Sequence, residues 1–206
     1  MNRKIGFVAS IVNAAAVCFF AISMLCGFNF GNYFSSMFIA FSFVVLVCSY
    51  AFFAGEKRKV AGFAAVAFAA IYAAIILLVY FAQLTVVRSG ELTEQAETLL
   101  DFQKTSLMFD YDLLGYALMA LSTFFAGLTI EPKNKPDKWL KALLMVHGVF
   151  FISCIIAPML GVFKVDSSPW VGIAVLEFWC VYFCPIAVLS ALHFYKKTEN
   201  ETKEEQ

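Results

Sequence analysis

The chain has 206 residues, of which 62% are hydrophobic, its formal net charge is zero and its mean hydropathy is +0.80. Globular domains are about 45–50% apolar, so a water-soluble fold would have too few polar residues to cover its surface. The size fits one domain, and the balanced charge gives no indication of nucleic acid binding. The composition therefore predicts an all-α membrane protein surrounded by a lipid bilayer.

Six apolar runs are long enough to be transmembrane helices, since about 20 helical residues cross a hydrocarbon core of about 30 Å. The first run is too long for the apolar region of a signal peptide, and no A-x-A site follows it. We interpret residues 1–195 as a single polytopic domain. Its predicted spans are 5–28, 35–54, 60–87, 113–130, 140–163 and 170–195.

Lys and Arg alternate between the gaps that separate these runs. Cytoplasmic connections carry the excess of these residues, so the pattern predicts a multi-pass protein of the cell membrane with both termini in the cytoplasm. Residues 196–206 would then form a polar cytoplasmic tail. The predicted inner set is Arg3, Lys4, Lys57, Arg58, Lys59, Lys133, Lys135, Lys138, Lys141, Lys196, Lys197 and Lys203, and the outer set is Arg88, Lys104 and Lys164.

The connection between the third and fourth spans is long and acidic, and the charge pattern places it outside. Its apolar residues recur with helical periodicity, and its acidic residues fall on the opposite face. We expect an amphipathic outer helix over about 91–109, which would cap the outer mouth of the bundle. The alternative is an ordinary surface helix. The apolar face holds Leu92, Ala96, Leu99, Leu100 and Leu107, and the acidic face holds Glu91, Glu94, Glu97 and Asp101.

The third span has alanine at every fourth position from Ala61 to Ala73, with Gly62 beside the stripe. Small residues on one face let two helix backbones approach closely in lipid. The stripe therefore favours packing within the bundle. The alternative is a docking face for a membrane-protein partner.

Ionisable residues inside a membrane are costly and often functional. Glu177 lies within the sixth span, roughly 10 Å from its outer end at about 1.5 Å per residue. Asp112, Tyr116 and Gln83 lie at similar predicted depths. We predict that these four residues surround one outward-facing ligand site. In the alternative, Glu177 is a buried structural acid and Asp112 complements a helix dipole.

Asn13 and His147 lie about two turns inside the first and fifth spans. Their similar depths predict an inner polar pair joined by a hydrogen bond. The alternative is that His147 has a separate structural role. His147 is too deep to contact Glu177, which lies near the opposite face of the bilayer.

No motif for a catalytic residue, a metal or a cofactor is present: G-x-S-x-G, H-E-x-x-H and G-x-x-x-x-G-K-[ST] are all missing. The six cysteines lie inside spans or at their edges, where thiols behave as small hydrophobic groups. We expect no cofactor, no metal site and no catalytic residue.

The stretch Asp112-Leu113-Leu114-Gly115-Tyr116, followed by ALMALSTFFAGL and KWLKALLMVHGVFF, resembles the second half of a family of small bacterial membrane proteins of unknown function. The resemblance covers residues 110–195 and implies the same multi-span fold without an activity. The size and topology are also similar to those of the substrate-binding subunits of energy-coupling-factor vitamin transporters, as an analogy of fold.

Three functions are compatible with the sequence. The first is small-molecule or lipid binding, or transport, through an outward-facing pocket. The second is a non-enzymatic scaffold or accessory subunit of a membrane complex. The third is a membrane enzyme that acts on lipid, with His147 or Glu177 as acid or base.

Overall fold

The structure is a computed structural model that describes residues 1–104, 106–162 and 169–204. The chain is all-helical, with 88% of residues in helix and no strand among the residues described. Six helical segments are long and apolar enough to cross a membrane, which confirms the predicted number of spans. They are Asn2–Leu25, Asn29–Phe52, Glu56–Val87, Leu107–Thr129, Lys135–Met159 and Gly172–Tyr195.

These segments are built from α-helices with two 3-10 turns, at Glu56–Arg58 and Phe102–Lys104, and a π-helical extension of the third span at Gln83–Val87. The α-helices are α1 (Asn2–Leu25), α2 (Asn29–Phe52), α3 (Lys59–Ala82), α4 (Glu94–Leu100), α5 (Leu107–Thr129), α6 (Lys135–His147), α7 (Phe150–Met159) and α8 (Pro169–Glu204).

Several helices extend beyond the apolar runs. Helix α2 begins at Asn29 rather than at 35, and α5 begins at Leu107 rather than at 113. Helix α8 continues to Glu204, through most of the segment predicted to be a polar tail. An apolar run marks where side chains can face hydrocarbon, whereas the backbone hydrogen bonds of a helix also form through polar residues. Residues 164–169 were predicted to form an outer loop; Pro169 begins α8, and 164–168 lie outside the described residues.

The connection at 88–106 does not form the single helix predicted over about 91–109. Helix α4 has seven residues, is capped by the side chain of Thr93, and ends where Asp101 adopts an extended backbone. Leu99 and Leu107, which the pattern placed on a covered face, are 56% and 43% exposed. Leu92, Ala96 and Leu100 of that face are half-buried. Hydrogen bonds between Gln83 and the backbone near Leu100 also attach the connection.

The spans form a closed ring in chain order. Helices α1, α2, α3 and α5 each pack against the next, α6 and α7 pack against α5, and α8 closes the ring against α6 and α1. Large buried side chains fill the centre, among them Phe20, Phe43, Tyr72 and Phe183. Large apolar side chains remain exposed around the outside of the ring, as a lipid-facing surface requires.

The alanine stripe of α3 packs inside this ring. Ala65, Ala69 and Ala73 are buried, and the Ser122 hydroxyl of α5 donates a hydrogen bond to the Ala65 carbonyl at 2.8 Å. A Cβ added to Gly62 would lie 3.1 Å from Ala51 of α2. Small residues thus let α3 approach both of its neighbours, and this face is not open to a docking partner.

Two ends of the bundle can be distinguished. At the terminal end, formed by residues 1–4, 53–59 and 130–138, Arg58 pairs with Glu131 at 2.8 Å and the Arg3 guanidinium lies 5.3 Å from the centre of the Phe53 ring. At the loop end, formed by residues 26–33 and 83–109, the Gln103 amide donates to the Tyr33 hydroxyl at 2.9 Å. The terminal end thus gathers three of the basic segments of the predicted inner set.

The fifth span is broken between α6 and α7. The Gly148 and Val149 amides donate to carbonyls three residues back, those of Met145 and Val146, at 3.1 and 3.0 Å. This replaces the α-helical ladder with a tighter turn. Helix α6 buries Leu140, Leu144 and His147, whereas α7 has no buried residue. The two halves of this span are therefore held very differently.

Candidate functional site

A cavity of about 270 Å³ lies at the loop end, bounded by α5, α7, α8 and the 3-10 turn at Phe102–Lys104. We call it the Asp112 cavity, because Asp112 is the acidic residue among the described residues that line it. Its aromatic lining residues are Phe102, Phe109, Tyr116, Phe150 and Trp179. The volume lies just below the usual range of about 300–1,000 Å³ for small-molecule pockets, so the cavity suits a small and largely apolar molecule.

Asp112 is 3% exposed, and its Oδ1 atom has no hydrogen-bond partner. The Tyr80 side chain provides a hydrogen bond to the same carboxyl group. The described cations of the loop end are engaged elsewhere, because Arg88 lies over the Phe30 ring at 4.8 Å and Lys104 pairs with Glu97. Within the described part of the chain, Asp112 is thus a buried acid without a cationic partner.

Two phenol groups lie close to Asp112, and one of them also lacks a hydrogen-bond partner. The Tyr72 hydroxyl is buried and has no hydrogen-bond partner, and the Tyr116 hydroxyl has the Tyr80 side chain as its hydrogen-bond partner; the ring centres of Tyr72 and Tyr116 lie 6.0 Å apart. Buried polar atoms in native proteins are nearly always hydrogen-bonded. Asp112 Oδ1 in the cavity lining and the Tyr72 hydroxyl beside it are thus two unpaired polar atoms, and the carboxyl oxygen indicates a place for a bound donor.

His147 borders the same cavity, but both of its ring nitrogens are occupied. The Trp179 indole donates to Nε2 at 3.0 Å, and Thr123 Oγ1 lies 2.8 Å from Nδ1. The Thr123 hydroxyl donates its own proton to the Ala120 carbonyl at 2.8 Å, so Nδ1 must be the donor to Thr123. An indole can only donate, so Nε2 carries no proton and the imidazole is neutral.

The four residues predicted to surround an outer site are divided by the structure. Asp112 and Tyr116, one helical turn apart on α5, both line the cavity. Gln83 instead holds the 88–106 connection: its amide nitrogen donates to the Leu100 carbonyl at 2.8 Å, and its carbonyl accepts from the Phe102 amide at 3.0 Å. Gln83 thus positions a wall of the cavity without lining it.

Glu177 does not line the cavity. It is half-buried on α8, one turn from Cys180 and two turns from Cys184, whose Sγ lies 3.8 Å from Sγ of Cys18 on α1. Its Oε1 atom has no hydrogen-bond partner. Glu177 is therefore on the α1 side of α8, whereas Trp179 is on the side that faces the cavity.

The inner pair of Asn13 and His147 is not formed, because each has other partners. The Asn13 amide donates to Ser42 Oγ at 2.9 Å and to the Ile39 carbonyl at 3.2 Å, and both belong to α2. His147 bonds to α5 and α8. In the ring order of the bundle, the first span adjoins the second and the sixth, so the first and fifth spans are not neighbours.

The connection above the cavity is also held by charge. The Lys104 ammonium lies 2.7 Å from the Glu97 carboxylate. This hydrogen bond raises the pKa of Lys104 above its ordinary value. The exposed pair links α4 to the turn that carries Phe102, so it supports the same wall that Gln83 holds.

The sequence did not indicate two further buried interactions. Trp179 has no helical or charge signal that would distinguish it from a lipid-facing residue. Asp137 and His193 form a buried pair at 2.7 Å between the start of α6 and α8. The spacing of Asn134 and Asp137 matches a helix N-terminus, and Asn134 does cap α6, but nothing in the sequence pairs Asp137 with His193.

Comparisons with protein-family models, curated proteins and solved structures found no match for this chain. The resemblance of residues 110–195 to small bacterial membrane proteins stays a prediction.

Proposed function

We propose that the protein binds a small molecule in the Asp112 cavity and acts as a transporter-like membrane protein. The observation that carries this proposal is the buried Asp112 side chain, which lines a cavity with aromatic walls and has one carboxyl oxygen without a hydrogen-bond partner. A buried acid without a partner destabilises the fold. A ligand that completes the hydrogen bonds of Asp112 would offset this cost.

The proposal places the loop end outside and both termini in the cytoplasm. The support is the distribution of Lys and Arg, since the basic segments around Arg58 and Lys133 meet at the terminal end. The cavity would then open outward beneath the 88–106 connection. That connection would act as its cover through Phe102.

Cys154 provides a direct test, because it is the cysteine that lines the cavity. The other five cysteines would be replaced by alanine, and a membrane-impermeant thiol reagent would be added outside intact cells. We expect Cys154 to be labelled. A matched chain that keeps only Cys48, which is exposed on α2 outside the cavity lining, should not react, because it faces lipid.

Gly172 allows the cavity itself to be filled in the same experiment. It lines the cavity, and a Cβ at this position would meet no atom within 4 Å. Gly172→Leu should therefore slow labelling of Cys154 without distorting the helix packing. If Cys154 reacts only from the cytoplasmic side, or if the leucine leaves the labelling rate unchanged, the proposed outward pocket is wrong.

The alternative functions have less support. A scaffold would need an open docking face, and the alanine stripe is buried within the bundle. A lipid-modifying enzyme would need a free acid or base, and both nitrogens of His147 are engaged by Trp179 and Thr123. Purification from native membranes tests the scaffold directly, because it predicts a second protein in stoichiometric amount.

A further inference from the structure

The chemistry of the Asp112 cavity restricts the charge of its ligand. Asp112 is its acidic residue, and His147 is held neutral by the direction of its two hydrogen bonds. Arg88 and Lys104 have other partners at the loop end. Among the described residues, nothing offsets a negative charge on Asp112. Burial alone disfavours the ionised carboxylate, so a ligand with one positive charge would stabilise it, whereas an anion would gain nothing from it.

The rings of the cavity restrict the kind of cation. Five aromatic residues from four different segments line one small space, and two of them, Tyr116 and Trp179, pack edge to face with centres 5.4 Å apart. Aromatic faces attract cations that have given up part of their hydration shell, and cages of this kind recognise substituted ammonium groups. A small inorganic ion would lose its water here and find few oxygen atoms in return.

We propose that the Asp112 cavity binds a hydrophobic organic monocation, with a substituted ammonium group at Asp112 and an apolar body among the aromatic rings. This inference rests on the proposed function and adds the class of ligand. Asp112 and the rings of Tyr116 and Trp179 are the groups that contact the cation. Phe102, which Gln83 holds in place, closes the cavity over the apolar body.

Benzyltrimethylammonium and its neutral isostere neopentylbenzene provide the test, since they differ mainly in charge. Each is added to the purified full chain in which Cys154 is the remaining cysteine, and protection of Cys154 from N-ethylmaleimide gives the affinity. Concentrations are corrected for uptake by detergent. We expect the ammonium compound to protect at concentrations at least about ten-fold lower than the isostere, as the energies of close charge pairs in buried sites imply.

Asp112→Asn should weaken protection by benzyltrimethylammonium at least about ten-fold, because it keeps the shape of the side chain and removes its charge. Protection by neopentylbenzene should change less than two-fold, which also shows that the variant is folded. Glu177→Gln is the matched control: it removes a carboxylate of the neighbouring helix outside the cavity, and it should leave both compounds unaffected.

The outcomes separate this inference from the proposed function. If the two compounds protect equally, or if Asp112→Asn leaves the ammonium compound unaffected, the cavity binds small molecules but the ligand class is wrong. If neither compound protects a Cys154 that reacts freely, the inference is overturned. The proposed function is tested separately, by whether Cys154 is labelled from outside the cell and whether Gly172→Leu slows that labelling.

Discussion

Trp179 Nε1 donates a hydrogen bond to His147 Nε2 at 3.0 Å and thereby joins α8 to the last residue of α6. This contact lies where the fifth span breaks, and His147 is 1% exposed. The imidazole therefore acts as a fixed acceptor between two helices. The same bond turns the indole ring of Trp179 so that it forms a wall of the cavity.

His147→Phe should destabilise the bundle by about 1–3 kcal/mol, because it leaves the buried Trp179 N–H without an acceptor. Thr123 is not affected in this way, since its hydroxyl already donates to Ala120. Unfolding in mixed micelles measures the loss. The double variant His147→Phe, Trp179→Phe should lose less than the sum of the two single variants, and strict additivity would contradict the contact.

Gln83→Leu should speed labelling of Cys154, because it removes both hydrogen bonds that hold the Leu100–Phe102 backbone. With the cover released, the cavity should open more often. Thr85→Val is the control: its hydroxyl bonds within its own helix, to the Phe81 carbonyl. An equal labelling rate in the Gln83 variant and the unmodified chain would show that this residue does not position the cover.

Asp137→Ala should cost about 3–5 kcal/mol of stability, the usual loss when one partner of a buried pair is removed. Its carboxylate meets His193 where both side chains are about 95% buried, with exposures of 6% and 4%. The other carboxylate oxygen accepts the Lys133 amide. Chemical unfolding of the purified protein measures the difference.

The ion pair of Arg58 and Glu131 is the matched comparison at the same end of the bundle. Its side chains are 32% and 65% exposed, so Glu131→Gln should cost less than about 1 kcal/mol. If Glu131→Gln lowered stability as much as Asp137→Ala does, the difference in burial between the two pairs would not explain their contributions to stability.

Gly62→Val should destabilise the bundle by about 1–3 kcal/mol, because the added side chain would force α3 away from α2. The obstacle is the Ala51 backbone, 3.1 Å from the position of a Cβ, and backbone cannot rotate aside. Ala67→Val, on an exposed face of the same helix, should change stability by less than about 0.5 kcal/mol. Thermal unfolding in detergent compares the two variants.

The number of spans could be predicted from the sequence because apolar length has one dominant cause, the thickness of hydrocarbon. The ends of the helices were less predictable, since the helices that begin at Asn29 and Leu107 extend beyond the apolar runs. The break after His147 leaves little trace in the sequence. The residue at the break is Gly148, and glycine is also common in unbroken membrane helices.

The candidate site was only half predictable for a different reason. Asp112 and Tyr116 share one helix, so spacing places them on one face. Gln83 and Glu177 were grouped with them by depth alone, and depth does not say which way a side chain points around the helix axis. The positions of Trp179 and Phe102 in the cavity wall could not be predicted without knowing which helices are neighbours.

The interrupted ladder at Gly148 and Val149 gives the fifth span a built-in pivot. Helix α6 is anchored through His147 and Asp137, while α7 contributes no buried residue. An outward swing of α7 about this point would leave the α6–α8 contacts in place and would break the contacts of α7 with α5 and the short-range hydrogen bonds of the turn. Such a swing would widen the space between α7 and α8, where the cavity lies, and would give the proposed pocket a second, lateral opening toward the acyl chains.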